Sequence, residues 1–157
     1  MSALRRDIPA LVIPVNILLL VWMVIGRGLF VPLGWMVVFG VLASPVLVIC
    51  LGITSLMMRR PLGRELSAVQ AWAQIALWAA MFGFGLTCVD GGDGGTTGSV
   101  LTKLVGDGSA VETVSGLLWY GCIAAGIVAW FVLLITLNRR PAATPLPQQP
   151  YPYPPTP

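Results

Sequence analysis

The stretch LGWMVVFGVLASPVLVICLGITSLM, Leu33 to Met57, decides the fold, because it passes without a single Asp, Glu, Lys or Arg. As a helix it runs roughly 37 Å, longer than the ~30 Å hydrocarbon core of a bilayer. A charge at the centre of a spanning helix costs ~2.5–3.5 kcal/mol, so an uncharged run of this length reads as a membrane span. Three further runs share the pattern: Ile8–Ile25, Leu66–Val89 and Gly116–Leu137. Isolated strands cannot satisfy their backbone in lipid, which leaves helix. The expected fold is therefore an all-α integral membrane protein, a four-helix antiparallel transmembrane bundle occupying residues 1–140.

Composition agrees. The chain has 157 residues, 57% of them hydrophobic and only 10% charged, and a mean hydropathy of +0.87. A soluble domain carries about a quarter charged residues, so most of this surface is expected to face lipid. The first run lacks a small-x-small cleavage site before IGRGLF and is read as a retained helix. Seven of the nine basic residues, Arg5, Arg6, Arg59, Arg60, Arg64, Arg139 and Arg140, fall on one side of the expected spans. Arg27 and Lys103 fall on the other. The positive-inside rule then places both termini in the cytoplasm of a cell-membrane protein. Spread in this way, the basic residues offer no nucleic-acid surface. Trp22, Phe30, Trp35, Trp72, Trp119 and Tyr120 stand near the ends of the runs, as interface anchors do.

The outer loop, residues 90–115, opens with DGGDGGTTG. It lacks the Lys and Ser/Thr of a nucleotide-phosphate loop and does not follow a strand. Asp90 and Asp93 are weak candidates for a cation, since calcium wants six to eight oxygens. A flexible strap is the favoured reading, because Gly and Asp suit turns for local reasons. Further on, Val100, Leu101, Leu104 and Val105 lie on one helical face, with Ser99 to cap it and Gly106 to end it. A short helix on the outer membrane surface is expected there.

Inside the spans, small residues recur four apart: Gly121, Ala125 and Ala129 with Cys122 and Gly126 alongside, then Ala76 and Ala80, and Ala79 with Gly83. Such stripes let backbones approach, either helix three to helix four or one chain to another copy, with packing inside one chain favoured. Asn16 and Gln74 each lie about 12 Å from the inner end of their helices and are expected to meet across the bundle. Pro14 and Pro45 leave the carbonyls of Ala10 and Val41 without helical donors. Cys88 and Cys122 differ in depth by about 6–9 Å, which disfavours a disulfide. Without His or a Cys-x-x-Cys pair, no cofactor is expected.

Residues 141–157, PAATPLPQQPYPYPPTP, contain no apolar run and are expected to be a disordered, cytoplasmic tail. Pro150, Tyr151, Pro152, Tyr153 and Pro154 suit aromatic-lined grooves of a cytoplasmic partner. An inert spacer fits the composition equally. In overall make-up the chain resembles small four-span bacterial membrane proteins of actinobacterial type. No motif ties it to a family, and the resemblance carries no functional residue.

Three functional classes follow. The first is a non-enzymatic accessory, scaffold or regulatory subunit working through a membrane-protein partner or self-association. The alternative is a small oligomeric channel, holin-like pore or transporter component for uncharged solutes, since ion-coupled transport needs intramembrane charges. An enzyme is disfavoured because no nucleophile stands beside a base.

Overall fold

A computed structural model describes residues 2–59, 66–92, 95–106 and 108–139. Asp93, Asp107, Arg60, Arg64, Arg140 and the tail from Pro150 to Pro154 lie outside these residues. The elements run α1 (Ser2–Val24), a 3-10 turn (Gly26–Leu29), α2 (Trp35–Arg59), α3 (Ala68–Thr87), β1 (Asp90–Gly92), β2 (Gly95–Gly98), α4 (Val100–Val105) and α5 (Ser109–Asn138). Among the described residues, four helices are long and apolar enough to cross a membrane: α1, α2, α3 and α5.

Cross-helix hydrogen bonds give the directions. The Arg5 side chain donates to the Leu66 carbonyl at 2.6 Å, and Arg59 to the Pro9 carbonyl at 3.2 Å. Gln70 Nε2 donates to the Thr136 carbonyl at 3.0 Å. One end of the bundle thus gathers the starts of α1 and α3 and the ends of α2 and α5, so consecutive helices alternate in direction. Ile8, Val12, Met58, Leu66 and Leu133 make the buried cluster near this end.

Local chemistry explains the boundaries. Ser67 and Gln70 form a reciprocal capping box at the start of α3, and Ser99 and Thr102 form one at the start of α4. Each satisfies backbone donors that the first helical turn leaves free. Ser44 Oγ donates to the Val41 carbonyl at 2.7 Å, the acceptor that Pro45 releases. α5 is longer than the apolar run from Gly116, because it already begins at Ser109 with Glu112 in its first turn, where an acid suits the helix dipole. Ser115, the last residue of that extension, is buried. It hydrogen-bonds to Ser99 at 2.7 Å and to the Thr87 carbonyl at 3.0 Å, tying α3, α4 and α5 together.

The segment after α3 departs from the strap expected there. β1 and β2 pair antiparallel, with Asp90 opposite Gly98 and Gly92 opposite Gly95. Positive φ angles at Gly95 (+113°) and Gly98 (+70°) are open to glycine and strained for other residues. The glycines therefore shape a hairpin, the one non-helical element among the described residues.

Candidate functional site

Asp90, the first residue of the hairpin, is the point where three distant segments meet. The 3-10 turn after α1 turns Arg27 inward until 1% of it is exposed, and Asp90 is equally buried. Arg27 Nη2 donates to Asp90 Oδ2 in a buried ion pair. The same oxygen accepts from the Gly34 N–H at 2.8 Å. Asp90 Oδ1 accepts from the Met36 N–H at 3.0 Å and the Gly91 N–H at 2.9 Å. Met36 is the second residue of α2, and the residues before that helix, Pro32, Leu33 and Gly34, carry no capping side chain. Asp90 thus caps α2 from across the fold, with its negative charge at the positive end of the helix dipole.

Electrostatics agree with that role. Burial by itself raises the Asp90 carboxyl, but the N–H groups of Met36 and Gly34, the Arg27 charge and the Gly91 N–H outweigh it. The net effect holds its pKa below the ordinary carboxylate value. Gly34 is needed for the close approach: a Cβ there would run into the Gly91 carbonyl oxygen and sit 2.6 Å from Asp90 Oδ1. With both its oxygens accepting two protein donors each, Asp90 has little accepting capacity left for a cation. Asp93, its expected companion, lies outside the described residues. Among those residues no three His, Cys, Asp or Glu side chains gather as a metal set.

Beneath this junction lies a cavity of about 520 Å³ between α2 and α5, backed by α1 and α3. Met36, Phe39, Ala43 and Leu47 line it from α2, and Ile123, Ile127 and Phe131 from α5. Met81 and Phe84 of α3 form the back. Trp130 closes the far end by donating its indole N–H to the Cys50 carbonyl at 3.1 Å. Arg27 sits at the near end and is the one charged side chain of the lining. Its Nε and Nη1 are buried with no acceptor among the described residues.

Compared with family models, with curated proteins and with solved structures, the chain matches none.

The structure sets Asn16 and Gln74, the polar residues of α1 and α3 expected to meet, apart from each other. Asn16 Nδ2 donates to Ser55 Oγ at 3.1 Å, and its Oδ1 accepts from Trp78 Nε1 at 2.8 Å. Trp78 stands one helical turn beyond Gln74, which brings it to the level of Asn16. Gln74 is fully buried, and neither of its amide atoms has a partner among the described residues.

Part of the expected small-residue stripes meets across α3 and α5. A Cβ at Gly83 would lie 2.7 Å from Cys122 Sγ, and one at Gly126 would lie 3.5 Å from Ala80 Cβ. The α3–α5 contact thus runs through Ala80, Gly83, Cys122, Gly126 and the buried Ala129. Ala76, Ala79, Gly121 and Ala125 face outward. All three cysteines, Cys50, Cys88 and Cys122, are free thiols and line the cavity.

Sequence reasoning passed over Arg27 as a functional residue. Its signal was its position: one of only two basic residues on the expected outer side, flanked by glycines after an apolar run.

Proposed function

We propose that the chain is a four-span membrane protein that works without catalysis of its own, as an accessory, scaffold or regulatory subunit acting through protein partners. The observation that supports this reading is where its surface and its polar groups lie. α2 and α5 leave Val38, Leu42, Val46, Ile49, Leu117 and Val128 exposed along their lengths. Faces of this extent are covered by lipid or by neighbouring helices. The buried charges, Arg27 and Asp90, hold segments of the fold together. The Arg bias at the end that gathers the starts of α1 and α3 favours a cytoplasmic location for both termini in a cell membrane. The tail residues Pro150 to Pro154 are the docking element this reading assigns to a cytoplasmic partner.

The test is affinity capture from native membranes in mild detergent, comparing the full chain with one ending at Arg140. A stoichiometric partner lost on truncation assigns the interface to the tail. A partner kept on truncation assigns it to the helices. Absence of any partner, together with solute flux from liposomes holding the purified chain, overturns the reading in favour of the pore alternative.

A further inference from the structure

We propose that the cleft between α2 and α5 holds one phospholipid of the surrounding bilayer, with an acyl chain along the cleft and head-group oxygens accepting from Arg27. This rests on the four-span reading above and on no particular protein partner.

Shape is the first argument. The volume of about 520 Å³ lies within the ~300–1,000 Å³ of ligand pockets. From Met36 to Cys50 the α2 wall extends roughly 21 Å at the helical rise, so the cleft is elongated along the helix axes. Phe39, Ile127 and Phe131 stand at its rim and are at least half exposed. It therefore opens sideways, toward the lipid, and offers an apolar trough parallel to the bilayer's own chains.

Arg27 supplies the second argument, and it selects the occupant. Asp90 engages Nη2, which leaves the N–H groups of Nε and Nη1 buried at the top of the cleft without acceptors. Leaving charged donors unsatisfied in an apolar site is costly. The lipid-facing side of a neighbouring transmembrane helix is predominantly apolar and offers few acceptors for Arg27. A phospholipid brings phosphate and ester oxygens, and guanidinium–phosphate pairing is among the stronger polar contacts. Arg27 follows the apolar run of α1, at the level where a spanning chain meets the head groups.

The experiment uses the purified full chain and phosphatidylglycerol carrying a photoactivatable group near the end of an acyl chain. Labelled peptides and lipid retained per chain are both read by mass spectrometry. The expected result is labelling centred on Leu47, Cys50 and Trp130, with one lipid retained per chain. Ala43→Trp fills the cleft from the α2 wall and is expected to abolish both signals. The neutral pair Arg27→Met/Asp90→Asn is expected to lower retention by about tenfold or more, the worth of a charge-assisted contact. Labels spread evenly over Leu42, Leu117 and Val128 and indifferent to Ala43→Trp would overturn the proposal. So would retention unchanged in the neutral pair, or cross-links showing a second copy of the chain in the cleft. Carbonate extraction of membranes reports insertion separately, so a failure of the four-span reading is distinguishable from a failure of the lipid site.

Discussion

Replacing Asp90 by alanine removes the group on which the 3-10 turn, the start of α2 and the hairpin converge. It strands Arg27, which is 1% exposed, without its counter-charge. Breaking a buried pair in this way costs ~3–5 kcal/mol, because the remaining charge stays desolvated. The N–H groups of Gly34 and Met36 also lose their acceptor, and a lost helix cap is worth ~0.5–2 kcal/mol. The two terms share one carboxylate and do not add, so the expected total is ~3–5 kcal/mol. Reversible unfolding of the full chain in mixed micelles with increasing dodecyl sulfate, followed by circular dichroism, measures it. Arg27→Met and Asp90→Asn, singly and combined, separate the pair from the cap. A coupling of ~1–3 kcal/mol is expected, since each single variant leaves a buried group without its partner. A cost below ~1 kcal/mol for Asp90→Ala would show that the junction does not hold the fold. Strict additivity of the pair, within ~0.3–0.5 kcal/mol, would show that the ion pair contributes nothing.

The same junction has a pH signature. The folded Asp90 value is lowered, so its contribution is fully present above the ordinary carboxylate value of about 3.9 and is lost as pH falls below it through the folded value. The stability gap between the wild-type chain and Asp90→Asn is therefore expected to be constant from neutral pH to about pH 5 and to close under more acid conditions, as unfolding midpoints across pH will reveal. Asn16→Leu removes the bonds to Ser55 and Trp78 and is expected to cost ~0.6–1.7 kcal/mol per bond, with the Trp78 emission shifting as its indole N–H loses its acceptor. Gly85→Leu drives a side chain into the Trp22 indole, which donates to the Phe82 carbonyl at 3.1 Å and stacks on the Phe82 ring. Overpacking of this kind costs ~1–3 kcal/mol, and a melting temperature equal to the parent's would contradict that packing.

Residues as ordinary as Leu33–Met57 show why the helices were legible in advance. Their apolar character is a one-dimensional property, and a long run without charges leaves the backbone one way to satisfy itself in lipid. Caps were legible for the same reason: Ser99 and Gly106 act on groups a few residues away, and α4 begins and ends beside them. The alternation of directions followed from four consecutive runs, each long enough to cross a bilayer.

Rotation and pairing were another matter. Gly121 and Ala125 share the four-residue spacing of Ala129, yet they face outward, while Cys122 and Gly126 meet α3. Spacing defines a stripe and leaves open which stripe turns inward, because all faces of these helices are apolar. Asn16 found Ser55 and Trp78 because depth along a helix says nothing about angle around it. Asp90, read from its neighbours as a loop residue or a thin cation ligand, became the cap of a helix more than fifty residues earlier in the chain, paired with Arg27. Local hydrophobicity settled in advance how many apolar helices there are and where each apolar run lies, but not how far α1 and α5 extend beyond those runs, to Ser2 and Ser109. Only the tertiary structure decided which polar groups meet and where the cleft lies, because both depend on helix rotations that an evenly apolar surface does not encode.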